Sequence, residues 1–261
     1  MESFFPPELL MCLIAFAWNA HPRWRLLLAG NRDEYHARPS APLARWDDVP
    51  VIAGRDLEAG GTWLGVNPGG RCATVTNVRD PRDPQAGLSR GWLVTDFLRG
   101  EAGATAHAQA LRKVAGQYRP FNLLTFDAHD AFYLGNRPVP RAQAVTPGVH
   151  GLSNADFNTP WPKTRQLMAR LQAWLEDRAA DDFAPLFDAL ADERPALDGD
   201  LPETGIGIER ERRLSAAFIR GADYGTRAST VVAIDHAGHG RIVERRFGPS
   251  GRPYGQLETA W

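Results

Sequence analysis

Short apolar segments joined by short polar links constrain the fold of this chain more than any other feature of its sequence. Cys12–Trp18 (CLIAFAW) and Trp24–Ala29 (WRLLLA) are separated only by NAHPR, and Pro68–Gly70 separates the apolar segments 62–67 and 71–78. Parallel neighbours would need a crossover connection of about a dozen residues or more. The sequence therefore predicts hairpins, and antiparallel sheets built from them.

Helical periodicity alternates with these strands. Segments 92–98, 102–118 and 164–178 are predicted helices, and in the last of them Leu167 and Leu171 lie one helical turn apart. Further predicted elements are a helix at 183–190, an exposed loop at 193–207, and strands at 121–126, 131–134, 149–153, 229–234, 241–247 and 256–261. This order predicts an α+β fold with helices layered on antiparallel sheets.

Composition excludes several classes of protein. The formal net charge is −1, so the chain lacks the positive field that nucleic acids recruit. No apolar run is long enough for a transmembrane helix, and the acidic, proline-broken start is unlike a secretory leader, so we expect no stable membrane insertion and a cytoplasmic location. Two cysteines cannot form a structural zinc site, and no metal is expected. All but two basic residues are arginine, which indicates a bacterial gene of high GC content.

Cys12 begins the first predicted strand and directly follows Met11. If translation starts at Met11, the small cysteine side chain allows removal of the methionine and leaves Cys12 at the N-terminus. A free α-amine has a pKa of about 7.7–8 and can accept the proton of a thiol whose own pKa is about 8.5. The alternative is the commoner buried and inert strand cysteine.

A polar cluster of Asn31, Arg32, Asp33 and Glu34 directly follows the second predicted strand. An arginine beside a thiol lowers the pKa of that thiol, and an aspartate can orient the arginine or an amine. The cluster predicts a packed polar site at the end of a buried strand. A salt-bridged turn is the alternative interpretation.

Five blocks of the sequence, in order, strongly resemble the NRDE family, the family of the transport-and-Golgi-organisation protein 2 proteins. They are MCLIAFAW, AGNRDEYHARP, GGTWLGVNPGGRCATVTN, HGLSNADFNTPWPK and YGTRASTVV. The resemblance implies an N-terminal-nucleophile (Ntn) hydrolase-like αββα sandwich, in which two antiparallel sheets lie between helical layers. It covers nearly all of residues 11–261, which we predict to be a single domain.

Within that superfamily the chain most resembles the cysteine acylases of the bile-salt-hydrolase and penicillin-V-acylase kind. The resemblance implies that Cys12 is the nucleophile, that Arg32 and Asp33 are the early charged pair, and that two asparagines and a late arginine complete the site. The predicted catalytic residues are Cys12, Arg32, Asp33, Asn77, Asn154 and Arg227, and the predicted ligand-binding residues are Asn31, Glu34, Thr62 and Trp63.

Residues 1–10 are predicted to be an N-terminal extension, either a mis-assigned start or a cleaved propeptide. While they remain attached through Met11, the nitrogen of Cys12 is an amide and cannot act as a base. We therefore expect a hydrolase of an amide or thioester acyl substrate once Cys12 is the first residue, with no cofactor required. The alternatives are a non-catalytic binding or trafficking protein for haem, acyl-CoA or lipid that uses the same pocket, and a scaffold without a ligand.

Overall fold

The computed structural model describes residues 11–79, 87–177 and 181–261. The predicted extension, residues 1–10, lies outside the described residues, as does Arg178, the last residue of one predicted helix. The described strands form two antiparallel sheets of six and seven strands. Together with the helices they confirm the α+β class expected from the sequence.

The first sheet contains the N-terminal hairpin. Its strands are β1 (Met11–Trp18), β2 (Trp24–Tyr35), β10 (Gly148–Leu152), β11 (Tyr224–Asp235), β12 (Gly240–Phe247) and β13 (Pro253–Ala260), in the order β10-β1-β2-β11-β12-β13. Met11 pairs with Asp33 and Cys12 with Arg32 across β1 and β2. On the other side of β2, Thr226 pairs with Asp33. The start of β1 therefore lies beside the polar end of β2, and β11 lies on its far side.

The second sheet is a meander whose strands follow one another in chain order. They are β3 (Ser40–Arg45), β4 (Ile52–Asp56), β5 (Leu64–Val66), β6 (Cys72–Asn77), β7 (Phe121–Phe126), β8 (Ala131–Gly135) and β9 (Arg141–Ala144). The predicted Pro-Gly-Gly turn joins β5 to β6. Gly70 has a φ of 75°, and a Cβ on it would lie 2.8 Å from the carbonyl oxygen of Gly238, so this position favours glycine.

Five α-helices accompany the sheets in the described part of the chain. They are α1 (Gly91–Arg99), α2 (Ala104–Arg112), α3 (Pro162–Glu176), α4 (Ala184–Leu190) and α5 (Ile208–Leu214). Pro162 is the first residue of α3, where its missing N–H costs no helical hydrogen bond. None of the described helices is long and apolar enough to cross a membrane.

Strand alternation divides the apolar residues of β1 between two cores. Ile14, Phe16 and Trp18 point between the sheets and join a cluster that includes Leu124 and Phe126 of β7. The rings of Phe16 and Phe126 meet edge to face, with centroids 5.1 Å apart. Burial of each such large side chain stabilises the fold by roughly 1.5–3 kcal/mol. This inter-sheet core holds the two sheets face to face.

Helices cover the outer face of each sheet. Leu13 and Ala15 of β1 pack with Leu167 and Leu171 of α3. On the second sheet, α1 and α2 supply another cluster, centred on residues such as Phe97. Helix, sheet, sheet and helix thus stack in that order, which confirms the αββα sandwich implied by the family resemblance.

The main departure from the sequence prediction concerns β2. The strand was expected to end at Ala29, with the polar cluster directly after it, whereas the strand continues through Asn31 and Glu34 to Tyr35. The expectation was wrong because β1 and β11 pair with both edges of β2, so the ladder extends beyond its apolar part. The prediction also missed β3, β4, β9 and α5, whose sequences are polar or partly exposed.

Candidate active site

Cys12 lies near the start of β1, on the floor of a pocket lined by residues of both sheets. Its side chain is only 7% exposed, and it shares the inter-sheet face with Ile14 and Phe16. The pocket has a volume of about 130 Å³. Eight of the ten predicted site residues line it: Cys12, Arg32, Asp33, Glu34, Thr62, Trp63, Asn77 and Arg227. Folding therefore brings together most of a set that is spread along the whole chain.

Asn154 fixes the backbone nitrogen of Cys12. Its Oδ1 accepts a hydrogen bond from the Cys12 N–H at 3.3 Å, and its Nδ2 donates to the carbonyl of Asn77 at 3.1 Å. The neighbouring Ser153 donates from Oγ to the Cys12 carbonyl at 2.8 Å. Asn154 is fully buried, so these bonds are shielded from water. Both polar backbone groups of Cys12 are thus held by side chains that follow β10.

The Cys12 thiol is protonated at neutral pH in this structure. Burial raises its pKa to about 12, and the nearby Asp33 carboxylate contributes in the same direction. The Arg32 guanidinium and the backbone N–H of Asp33 favour the thiolate but do not outweigh burial. With Met11 attached, Cys12 has the chemistry of an inert thiol.

Carboxylates share the positive charge of Arg32. Its Nη2 lies 3.3 Å from Oε2 of Glu34 and 3.9 Å from Oδ2 of Asp56. Arg38 joins the same two carboxylates, at 2.8 Å to Asp56 and 3.7 Å to Glu34. The four side chains form one partly buried network on the pocket wall. Because Glu34 and Asp56 partly neutralise the charge of Arg32, Arg32 has only a limited effect on the pKa of the Cys12 thiol.

Asp33 and Lys163 are two buried ionisable groups behind the nucleophile that interact electrostatically. Each is 2% exposed. Asp33 Oδ1 accepts a hydrogen bond from Thr226 Oγ1 at 2.7 Å, and Lys163 Nζ donates to the carbonyl of Leu214 at 3.0 Å. Burial raises the pKa of Asp33 to about 6 against the opposing effect of Lys163, and burial lowers the pKa of Lys163 to about 8 against the opposing effect of Asp33. Each of the two charges therefore stabilises the ionised form of the other group.

Met11 fills a closed space next to this pair. Its side chain is fully buried in a cluster that includes Trp161 and Tyr224. The Nη2 of Arg79 lies 2.9 Å from the Met11 sulfur, and Nη1 of Arg79 forms a buried ion pair with Glu211 at 2.5 Å. The surroundings of Met11 are thus unusually polar for a methionine, and they adjoin the Cys12 nitrogen.

Asn31 lies on the face of the sheet opposite to Arg32 and Glu34, and it does not line the pocket. Side chains alternate along β2, so Asn31 points toward the helical layer while Arg32 and Glu34 point into the pocket. Its Nδ2 donates to the carbonyls of Leu190 at 2.8 Å and Ala217 at 2.7 Å. The contacts join β2 to the segments at the ends of α4 and α5.

Arg227 lines the pocket, but its hydrogen bonds go to the pocket rim. Nη1 donates to the carbonyls of Tyr35 at 2.7 Å and Arg38 at 3.0 Å, and Nη2 donates to Ser40 Oγ at 3.1 Å. These bonds secure the connection between β2 and β3. Arg227 does not appear among the main influences on the Cys12 thiol.

The sequence prediction missed Lys163, Thr226, Ser153, Arg38 and Asp56 as members or neighbours of the site. Lys163 carried a usable signal, because it is one of only two lysines in a chain that otherwise uses arginine. It also stands in the HGLSNADFNTPWPK block that carries the family resemblance. Ser153, Thr226 and Arg38 also stand in such blocks, whereas Asp56 does not.

A cysteine near the start of the first strand of an αββα sandwich, facing a pocket between the sheets, defines the class of Ntn-hydrolase folds. Solved structures of this class resemble the chain. A Caenorhabditis elegans N-acylethanolamine-hydrolyzing acid amidase ortholog superposes with a TM-score of 0.50 at 10% identity, covering 87% of this chain and 93% of that one. A mutant of conjugated bile acid hydrolase from Clostridium perfringens superposes with a TM-score of 0.50 at 7% identity, covering 96% and 92%. At such low identities the likeness establishes the fold alone.

Within that class the chain belongs to the Transport and Golgi organisation 2 family, whose sequence pattern matches residues 11–249. It is 34% identical over 258 residues to the human Transport and Golgi organization protein 2 homolog, covering 90% of this chain and 92% of the relative. The mouse homolog is 32% identical with the same coverage, and the Drosophila melanogaster protein is 25% identical over 262 residues. The family resemblance is confirmed. These relatives are animal proteins, so the bacterial source inferred from composition stays a prediction.

Proposed function

We propose that the chain is an Ntn-type cysteine hydrolase that cleaves an amide or thioester bond of a small acyl substrate, with Cys12 as the nucleophile. The observation that carries the proposal is the setting of Cys12. Its thiol faces the pocket, while its backbone nitrogen is held by Asn154 Oδ1 at 3.3 Å. Nucleophile and base would thus belong to one residue, fixed at the pocket floor.

The reaction requires that the peptide bond between Met11 and Cys12 be absent, because an amide nitrogen is not a base. The neutral α-amine then accepts the thiol proton, and the thiolate forms a carbon–sulfur bond to the substrate carbonyl. The tetrahedral intermediate expels the leaving amine or thiol, which takes the proton from the ammonium group. Water, deprotonated by the same amine, hydrolyses the thioester and releases the acid and the free Cys12 thiol.

The surrounding residues would divide the remaining work. The side-chain amide of Asn77, at the pocket wall, would donate to the developing oxyanion, a contribution of about 3–4 kcal/mol in a site that excludes water. Asn154 would orient the amine, and Arg32 would favour the thiolate. Thr62 and Trp63 would line the path of the acyl group, since both face the pocket.

The decisive experiment compares the chain that retains residues 1–11 with a form whose first residue is Cys12, released by a specific protease from an N-terminal fusion. Each is incubated with a panel of fluorogenic acyl amides and acyl thioesters, and the acyl-enzyme is sought by intact mass. We expect an acyl adduct on Cys12 and turnover only in the form with the free amine. Its rate should rise with pH and level off near pH 8, following the pKa of the amine.

The matched control exchanges the other cysteine, Cys72, which is fully buried away from the pocket. Cys12→Ala should reduce turnover to background, whereas Cys72→Ala should leave it unchanged. Equal turnover in Cys12→Ala and the parent would refute the proposal.

A non-catalytic binding role in the same pocket is the second candidate, favoured by the number of arginines in its lining. Such a lining suits the phosphates of acyl-CoA, the headgroup of an acidic lipid, or the propionates of haem. No histidine is among the described residues that line the pocket, which leaves the protonated Cys12 thiol as the nearest sulfur for a haem iron. Titration of the chain that retains residues 1–11 with haemin, followed by absorbance, and of the Cys12→Ala form with acyl-CoA, followed by calorimetry, tests this role. Tight binding without turnover in the free-amine form would favour it over hydrolysis.

A further inference from the structure

Two arginines on one wall of the pocket form no ion pair with a carboxylate of the described residues. Arg90 directly precedes α1 and Arg119 lies shortly before β7, and both line the pocket. Within the described ranges, neither has a carboxylate oxygen within the 4.0 Å limit for an ion pair. Arg32 and Arg38, in the same pocket, both have such partners. Among the residues that the structure describes, Arg90 and Arg119 thus lack a direct carboxylate partner, and the more distant Glu34 offsets the charge of Arg90 only in part.

Backbone contacts hold these two arginines close together. The Nη1 of Arg90 donates to the carbonyl of Pro120 at 3.1 Å, and the backbone N–H of Arg119 donates to the carbonyl of Leu88 at 3.2 Å. The segments on either side thus run next to each other. Burial and the neighbouring Arg119 guanidinium lower the pKa of Arg90 to about 10. Two like charges held close together repel each other, and an anion bound between them would relieve that repulsion.

The pocket lining as a whole is also positively charged. It contains seven arginines and four carboxylates, an excess of three positive charges: Arg32, Arg38, Arg55, Arg90, Arg119, Arg227 and Arg246 against Asp33, Glu34, Asp56 and Glu244. Gly91, the first residue of α1, also lines the pocket, and the first turn of this helix contains no acidic residue. Its backbone dipole therefore adds to the positive potential that the arginines create. A group with more than one negative charge suits this wall better than a single carboxylate does.

We propose that Arg90 and Arg119 form an anion subsite that binds a phosphate group carried by the substrate of the Cys12 site. Guanidinium groups match phosphate oxygens through paired hydrogen bonds, and two of them can hold one phosphate from two sides. The subsite would fix the end of the molecule that does not react and so place its carbonyl over the thiol. The identity of the bound molecule as a substrate rests on the proposed function, whereas the binding of phosphate does not.

Binding is measured by calorimetry at low ionic strength on the full chain carrying Cys12→Ala, with inorganic pyrophosphate as the probe and citrate as a carboxylate of similar charge. We expect pyrophosphate to bind more tightly than citrate. Arg90→Gln and Arg119→Gln should each weaken pyrophosphate binding about tenfold or more. Arg112→Gln, which alters an exposed arginine on α2 outside the pocket, should leave it unchanged.

Thermal unfolding separates loss of binding from loss of fold. Without ligand, Arg119→Gln should be at least as stable as the parent, because it relieves the repulsion of Arg90. Pyrophosphate should raise the melting temperature of the parent and not that of the variant. The proposal is overturned if citrate binds as tightly as pyrophosphate, if no binding is detected up to about 1 mM, or if all three arginine variants bind equally.

These outcomes are distinct from those that test the hydrolase. Pyrophosphate binding that depends on Arg90 and Arg119, without Cys12-dependent turnover, would retain the subsite and remove the hydrolase. Turnover that is indifferent to Arg119→Gln on phosphate-bearing and neutral acyl substrates alike would retain the hydrolase and remove the subsite.

Discussion

Replacing Lys163 with methionine tests the buried charge pair behind Cys12. The two side chains have similar length, so Lys163→Met removes the ammonium group and its bond to the Leu214 carbonyl while largely preserving packing. Asp33 then loses the positive charge that favours its ionised form. Since Asp33 is 2% exposed, water cannot replace that charge. We expect the free energy of unfolding of the variant to depend on pH in a range where that of the wild-type chain does not.

The magnitude follows from linkage. An acid whose pKa is higher in the folded than in the unfolded chain makes the fold less stable as pH rises between the two values, by about 1.4 kcal/mol per pH unit. In the wild-type chain this decline ends near pH 6, the folded-state pKa of Asp33. Lys163, whose pKa is lowered to about 8, adds no pH dependence until that pH is reached. Without Lys163 the pKa of Asp33 rises further, so the decline continues above pH 6.

The variant should therefore be less stable at pH 8 than the wild-type chain by up to about 3 kcal/mol beyond their difference at pH 5. Urea unfolding at pH 5, 6, 7 and 8 measures this directly. Lys113→Met, at the other lysine, alters an exposed residue after α2 and should follow the wild-type curve. Adding Asp33→Asn to Lys163→Met should remove the extra slope. Parallel stability curves for Lys163→Met and the wild-type chain between pH 5 and pH 8 would refute the reasoning.

Three further predictions concern other parts of the site. In the chain that retains Met11, the rate of Cys12 alkylation by iodoacetamide should increase about tenfold per pH unit up to pH 10, because burial raises the thiol pKa to about 12. Intact mass measures the reaction, and a rate that levels off near pH 8 would contradict the prediction. Asn31→Ala should lower the free energy of unfolding, measured by urea titration, by about 2–4 kcal/mol, because buried hydrogen bonds are lost. The affinity for pyrophosphate should stay unchanged, and a large change in it would show that Asn31 acts in the pocket. Arg227→Gln should speed amide hydrogen exchange across residues 35–40 and lower stability by about 1–3 kcal/mol; exchange that stays unchanged while Cys12 reactivity falls would assign Arg227 to the nucleophile instead.

Sequence patterns predicted the fold well wherever one physical signal was strong. The predicted strand 121–126 coincides with β7, and the predicted helix 92–98 lies within α1. Turn residues and apolar runs suffice for such elements because local preference and burial agree. They fail for β9, whose residues are mostly exposed and include no large apolar side chain, so that only pairing with β8 makes it a strand.

The site was predicted in part for a related reason. Cys12, Asn77 and Asn154 could be named because the family resemblance assigns their roles, and the structure brings them together through hydrogen bonds. Lys163 and Arg90 belong to segments far from Cys12 in sequence, and only the stacking of α3 and α1 on the sheets brings them near. Long-range proximity of this kind leaves no periodic trace in a single sequence.

The strand conformation of Asn31–Glu34 determines which side chains of the polar cluster act on Cys12 and from which side. In a turn its side chains would have shared one environment, whereas in β2 they alternate between the pocket and the helical layer. Arg32 and Glu34 lie on the pocket side of the nucleophile, while Asp33 lies behind it and interacts electrostatically with Lys163. Their combined effect with Met11 attached is a thiol that stays protonated, because burial and Asp33 outweigh an arginine whose charge carboxylates share. The same arrangement becomes reactive when a neutral amine replaces the amide at the nitrogen that Asn154 already holds, so the state of one peptide bond would decide between a binding pocket and an enzyme.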